Sequence, residues 1–418
     1  MTSRLFVLLL TAVSLVAVPL RADPAAKDAA RAEFLRVVAG APALQAAARR
    51  VDAAQQRTGA AGLLPDPEVE GMVSRMNGAM GERNDMYEVN VRQPLPRRGE
   101  LAAQRERARA AVAMAEADHA MMAGELAAET AMALAEAEGA AARLVCVSRQ
   151  ADRLESVLRS LDARLATTTG GMGGARLADR LTVQTRLAAM RLMLENDQRM
   201  ADDALAEARG RLGLAPDAAL PAFVAPDIGA IDPATSPAVL AAAARTAEAD
   251  AMAGMAKAAA RPMAAVGLRY ERERTAMGND NTVGLALMSD FPWRSRRASR
   301  AELEAASAER AAAQADASSA TYRIRAAVAR AERASRLAES SRRVSADTLA
   351  RLEAELGAFL RAASAGNPGD STVLMTVELL EKATDAELQV VAAEQAERTA
   401  RAELWRYAPA AQFSASAR

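Results

Sequence analysis

The side chains able to do covalent or metal chemistry are few and scattered. The sequence holds one histidine, His119, and one cysteine, Cys146. Protein zinc sites draw several ligands from Cys, His and carboxylates, and a thiol nucleophile needs an imidazole beside it. One of each makes neither a Cys/His metal cluster nor a Cys–His couple, so His119 reads as incidental and Cys146 as a packed or helix-surface thiol. A single cysteine also forms no intrachain disulfide. The glycine-rich stretch Gly170–Gly174 has no lysine and no strand before it, unlike a loop that cradles phosphate. No catalytic, cofactor-binding or metal-ligating residue is therefore expected. Two groups remain. Met72, Met76, Met80, Met86, Met263, Met277 and Met288 cluster in one kind of segment; thioethers suit soft Cu(I) or Ag(I), but they also serve as flexible apolar filler, the reading adopted here. Glu378 and Glu381 stand three residues apart, on one face of a helix, and an ordinary solvated face has the same pattern.

The elements that carry these residues occur twice. In the first copy, alternating runs Glu68–Met76 and Met86–Arg92 lead through the corner Gln93-Pro94-Leu95-Pro96 into a helical run over 100–165. In the second, Met263–Glu271 and Thr282–Ser289 lead through Asp290-Phe291-Pro292-Trp293 into a run over 296–361. Repetition at this scale marks a duplicated architecture. At 1.5 Å per residue each long run spans about 100 Å, too long to wrap one compact core. Return helices are expected over 176–212 and 371–407, after tips at Gly170, Gly171, Gly173 and Gly174 and at Gly366 and Gly369, with Asp179 just past the first tip. A helix over about 26–59 precedes the first hairpin and one over about 237–260 the second. Stacking each short pair end to end beside one long helix gives a wall of even height. The chain thus divides into a first repeat over 23–213 (hairpin 68–92), a proline-rich belt over 214–236, a second repeat over 237–407 (hairpin 263–289) and a flexible tail over 408–418.

Composition agrees with long packed helices. Apolar residues make up 51% but aromatics only 3%, because alanine supplies much of the apolar content; small side chains let helix backbones approach closely. Leu144, Val147, Ala151, Leu154, Leu158, Leu161 and Leu165 alternate three- and four-residue steps, the seam of supercoiled helices. Lys plus Arg and Asp plus Glu both total 53, which gives no electrostatic case for nucleic acid. Residues 1–22 read as a secretory signal peptide: a positive start, then the uncharged apolar run Leu5–Val18, then the stretch Leu20-Arg21-Ala22, which puts a small residue before a cut.

The hairpins alternate with period two. Tyr87, Val89 and Val91, then Val266, Leu268 and Tyr270, then Val283, Leu285 and Leu287 interleave with polar or small residues. Such a face fits a half-buried soluble sheet or an outer-membrane barrel strand. The signal peptide, the long helices and the lack of anything for these strands to pack on favour the barrel, which makes these apolar residues the lipid-facing set. Four strands do not close a barrel, so several chains must contribute.

In this arrangement the chain resembles the TolC family of outer-membrane efflux proteins. Leu64-Pro65-Asp66-Pro67-Glu68, the corner Val91-Arg92-Gln93-Pro94-Leu95-Pro96, the spacing in Asp179-Arg180-Leu181-Thr182-Val183-Gln184-Thr185-Arg186-Leu187, and Leu287-Met288-Ser289-Asp290-Phe291-Pro292-Trp293 carry the resemblance. The first two look most like the heavy-metal efflux branch. The resemblance implies a mainly α fold with a transmembrane β-barrel portion: long helical hairpins form an α-barrel, and four strands per chain join a barrel shared by a homotrimer. It implies an outer-membrane location with a helical tunnel in the periplasm. It also implies as partners outer-membrane lipid, a periplasmic adaptor protein and an inner-membrane pump of the resistance-nodulation-division type, with metal ions or small toxic compounds as cargo. Glu378 and Glu381 would narrow the closed end of the tunnel as a negative ring. The chain departs from many relatives in lacking a lipidated cysteine after the signal peptide.

The competing class is a soluble periplasmic coiled-coil protein, an adaptor or a structural spacer. An adaptor would hold one helical hairpin between lipoyl-like and barrel domains, not two long helices each preceded by its own strand hairpin.

Overall fold

A computed structural model describes residues 24–77, 83–167, 177–275, 278–290, 295–364 and 372–414. The expected signal peptide, the tip glycines Gly170, Gly171, Gly173, Gly174, Gly366 and Gly369, and the second corner at 291–294 lie outside them. In chain order the elements are α1 (Pro24–Ala39), α2 (Pro42–Ala60), β1 (Glu68–Asn77), β2 (Arg83–Leu95), α3 (Glu100–Thr167) and α4 (Leu177–Leu212). After two 3-10 turns follow α5 (Pro237–Ala259), β3 (Met263–Thr275), β4 (Gly278–Asp290), α6 (Ser295–Ser364), α7 (Thr372–Ala402), a 3-10 turn over Glu403–Tyr407 and a last turn over Ala411–Ser414. Among the described residues no helix is long and apolar enough to cross a membrane.

The chain forms two compact units, and the long helices α3 and α6 contribute to both. One unit holds residues 45–122 and 232–325. It contains the four-stranded antiparallel sheet, in the order β1-β2-β3-β4, with α2, α5 and the first parts of α3 and α6. Its helices meet through alanine. Ala103, Ala110 and Ala117 on α3 and Ala306, Ala313 and Ala320 on α6 are buried at seven-residue intervals, a supercoil seam built from the smallest side chain that still packs. On α5, a Cβ at Gly254 would lie 3.2 Å from the Ala103 Cβ. Arg245–Asp316 and Arg310–Asp250 tie α5 to α6 at 3.4 and 3.1 Å.

The other unit holds residues 24–44, 123–231 and 326–414 of those described. Among the described residues its core includes two apolar clusters of aliphatic side chains. Ala151, Leu154 and Leu161 of α3 meet Val183 and Leu187 of α4 and Val377 and Leu380 of α7. Ala327 and Ala331 of α6 meet Ala400 and Leu404, with Ile228 and Ile231 of the belt packed against them. Between these, Arg143 joins three helices: its guanidinium donates to Asp197 of α4 at 2.9 Å and to Gln395 of α7 at 2.7 Å.

Two expectations differ from the structure. The helix expected over 26–59 is two helices, broken at Gly40-Ala41. Pro42 lacks an N–H and disfavours helical geometry at the residue before it, so it opens α2 and closes α1 instead of continuing one helix. The tail expected over 408–418 is packed as far as it is described. Ala408 and Phe413 are buried, and Arg31 donates to Gln412 at 2.7 Å. The cause is Trp405, wholly buried: Phe34 stacks on it at 5.5 Å, Phe413 tilts against it at 6.1 Å and the Arg31 guanidinium lies 5.5 Å above its ring. The indole N–H donates to the Val224 carbonyl at 2.9 Å. This aromatic anchor recruits residues from both ends of the chain, which is why local pattern does not announce it.

Candidate membrane face and paired carboxylates

The sheet is the first candidate site, and register decides its chemistry. Side chains directly opposite one another in an antiparallel ladder share a face. Val69, Gly71 and Val73 pair with Val91, Val89 and Tyr87. Val89 and Val91 pair with Tyr270 and Leu268, and Gln93 with Val266. Tyr270, Leu268 and Val266 pair with Val283, Leu285 and Leu287. Tyr87, Val89, Val91, Val266, Leu268, Tyr270, Val283, Leu285 and Leu287 therefore lie on one continuous face, all exposed in the single chain. Sequence alternation placed each strand's apolar residues on one side of that strand. Only the β2–β3 pairing, between strands from different repeats, puts the sets on the same side. Val69 and Val73 of β1 belong to this face too, although the glycine between them weakens the pattern.

The apolar band has limits. Past Tyr87 and Tyr270 the same face carries Arg75, Asp85, Arg272, Arg274 and Asn281. Arg75 donates to Asp85 at 2.8 Å, and the Tyr270 hydroxyl to Asn281 at 3.2 Å. Tyrosines between an apolar band and a charged rim match the interfacial preference of amphipathic rings. The opposite face is charged. Glu68 pairs with Arg92, and Arg269 bridges Glu88 and Glu271, each at 3.0 Å.

The corner motifs hold the sheet on its helix. The Gln93 side-chain amide donates to the Pro65 carbonyl at 2.8 Å, so the Leu64–Glu68 and Gln93–Pro96 segments meet. Glu100 accepts from the Arg97 N–H at 2.9 Å, a capping carboxylate at the N-terminus of α3. Gly99, with φ of 90°, makes the turn between them. A hydrogen bond from the Arg261 guanidinium to the Arg98 carbonyl, 2.6 Å long, fixes the start of β3 to the same corner.

Glu378 and Glu381, on α7 in the other unit, are the second candidate site, and each has a basic partner. Lys382 lies 2.8 Å from Glu378 on the same helix, and its hydrogen bond and charge hold the Glu378 carboxyl below the ordinary range. Arg186 of α4 lies 2.9 Å from Glu381. Within one chain the two carboxylates are thus compensated, and the Arg186–Glu381 pair links α4 to α7. The adjoining Val377 and Leu380 are buried in the core, so this stretch of α7 is amphipathic. Asp179 is buried in the first turn of α4, where a carboxylate suits the positive end of the helix dipole.

Burial, and then the nearby Glu387 carboxylate, push the Cys146 thiol up to about 11. Little thiolate forms at neutral pH, which suits a packed thiol. His119 lines a cavity of about 350 Å³ with Met114, Met122, Asp118 and Glu248. Among the described residues no three His, Cys, Asp or Glu side chains are grouped to hold a metal.

Comparison with known proteins places this architecture. Residues 36–213 match the model of the family described as outer membrane efflux protein. No curated protein matches the sequence. Solved structures share the fold over most of the chain. The outer-membrane channel OprN is 19% identical, with a TM-score of 0.69 over 92% of this chain and 91% of its own. The outer membrane protein VceC of Vibrio cholerae is 15% identical, with a TM-score of 0.72 over 91% of this chain and 96% of its own. CusC, described as undergoing transmembrane channel formation, is 15% identical, with a TM-score of 0.67 over 90% of this chain and 91% of its own. The family resemblance is thereby borne out over the first repeat by the family model, and the chain as a whole shares the fold of these solved channels. The expected fold class, long helices with a small share of barrel strands, is the one these channels have.

Proposed function

We propose that this chain is one subunit of an outer-membrane efflux channel whose sheet enters the membrane and whose helices line a conduit from the periplasm. One observation carries the reading: a four-stranded sheet with one apolar face, one charged face and two open edges. In water that apolar face would be a large exposed patch and the edges would invite aggregation. In a shared barrel, lipid covers the apolar face and the edges pair. β1 and β4 run antiparallel to each other, so the β1 edge of one copy accepts the β4 edge of the next and the same step closes a ring. The family resemblance supports a ring of three chains.

The family also suggests the rest of the assembly: a periplasmic adaptor and an inner-membrane pump of the resistance-nodulation-division type, exporting metal ions or small toxic compounds. In the trimer, Glu378 and Glu381 would come together from three chains at the periplasmic end. Arg186 would then act as a latch, because moving α7 away from α4 breaks its pair with Glu381. Cell fractionation and planar bilayers test the reading. Heat-modifiable oligomers in outer membranes, with stepwise conductance from the purified protein, support it. A monomer in the soluble periplasmic fraction without conductance replaces it with a soluble coiled-coil adaptor or spacer.

A further inference from the structure

The register sorts the methionines as sharply as it sorts the aliphatic residues. Met72 and Met86 occupy the charged face, opposite Glu88 and Ser74. Met288 pairs with Ala265, and Met263 pairs with Asp290, also on that face. Every β1–β4 methionine with a described side chain is on it, while the apolar face uses Val, Leu and Tyr. Methionine acting as apolar filler would follow the aliphatic residues. Instead Met72 and Met288 stand 49% and 48% exposed among Glu68, Glu70, Glu88 and Arg92.

Their positions form two pairs. Met72 faces Glu88 and is the diagonal neighbour of Met86 across the β1–β2 ladder. Met263 and Met288 are diagonal neighbours across β3–β4. Diagonal neighbours are roughly 7–8 Å apart at Cα, within reach of two flexible thioethers turning toward one ion. The second pair lines a cavity of about 460 Å³, together with Glu68, Arg92 and Glu100. The Arg92 guanidinium lies in it and donates to the Met288 sulfur at 3.9 Å, a contact that an ion taking this sulfur has to displace; its charge is offset by its pair with Glu68.

We propose that these two thioether pairs, Met72 with Met86 and Met263 with Met288, are binding steps for a soft monovalent cation of the Cu(I) or Ag(I) class on the inner face of the barrel. The carboxylates on that face raise the local cation concentration, and the thioethers select soft ions over the abundant hard ones. Two weak sites in series suit conduction, where binding must admit an ion and still release it. The inference rests on the channel reading, since that reading makes the charged face a lumen.

Ag(I) is the probe, because it needs no reductant. The full-length protein is purified and placed in planar bilayers in nitrate salt. Ag(I) is expected to reduce the wild-type current. The variant Met72→Leu/Met86→Leu/Met263→Leu/Met288→Leu keeps side-chain volume and should conduct normally while losing sensitivity by at least about tenfold. Equilibrium dialysis against Ag(I) on the detergent-solubilised proteins gives a second readout, independent of conductance. Wild type and variant are compared in a Cys146→Ser background, because the free thiol is itself a soft Ag(I) ligand and would mask the difference. Equal Ag(I) block and binding in wild type and quadruple variant overturns the proposal and leaves the channel reading intact. Absence of conductance in wild type refutes the channel reading instead; dialysis then still decides whether these residues bind Ag(I). If the quadruple variant fails to assemble, the two double variants carry the same comparison.

Discussion

Leu285→Arg separates a membrane face from a soluble sheet more sharply than any other single change. Leu285 is 85% exposed in the chain by itself, so an arginine there displaces almost no intrachain packing. It lies in the middle of the apolar band. Along β3 that face reads Ala264, Val266, Leu268, Tyr270, about 20 Å at 3.4 Å per residue, and Leu285 pairs with Leu268. If water bathes this face, the substitution should fall within about 0.5 kcal/mol of neutral, as exposed replacements usually do. If lipid bathes it, a cation near the bilayer midplane costs about 2–4 kcal/mol, roughly a thirtyfold to several-hundredfold shift in the folding equilibrium. Ala286→Arg, one residue on, points to the charged face and should cost much less; Val89→Arg and Asn90→Arg form the same contrast on β2. The assay is denaturant unfolding of the protein refolded into lipid vesicles, followed by the heat-dependent gel shift. Equal tolerance at 285 and 286 refutes the membrane assignment.

Four further outcomes follow from the helices. Glu378→Ala/Glu381→Ala should weaken cation selectivity and remove block by multivalent cations added from the periplasmic side in planar bilayers while oligomers still form; unchanged selectivity and block would leave both as ordinary surface charges. Glu138, near Arg398, has its carboxyl pushed above the ordinary 4.5, chiefly by burial and against the pull of Arg398. A carboxyl raised on folding contributes stability below 4.5 that is lost as pH rises through the folded value. Glu138→Gln should therefore flatten the fall in melting temperature from 4.5 upward, and an identical pH profile would contradict this. Cys146, raised to about 11, should react with iodoacetamide at pH 8 far more slowly in the folded protein than after denaturation; equal rates would show a reactive thiol. Gly124→Ala puts a Cβ 2.7 Å from the Trp405 carbonyl oxygen, a backbone atom, whereas Gly139→Ala meets the movable Gln395 side chain at 2.6 Å. Thermal melts should show a loss of about 1–3 kcal/mol at 124 and a smaller one at 139; the reverse order would contradict the packing described.

The sequence determined whatever depends on short-range periodicity and on residues that stop or turn the chain. Alternation over Tyr87–Val91 and Val266–Tyr270 requires strands with one apolar side, because successive side chains of an extended chain point opposite ways. The unbroken alanine- and leucine-rich runs require helices, and the paired corners reveal the duplication. Other features needed the fold, because their partners are distant in sequence. The β2–β3 ladder joins strands from the two repeats, and without it neither the single apolar face nor the sorting of Met72, Met86, Met263 and Met288 to the other side could be read. Trp405 gathers Arg31, Phe34, Val224 and Phe413, and this long-range burial orders a segment whose composition reads as a tail. The Glu378–Lys382 pair, four residues apart on one helix, is legible in the sequence. The Arg186–Glu381 pair needed the fold, because it is set by where α4 and α7 pack, and the spacing within either helix does not contain that information.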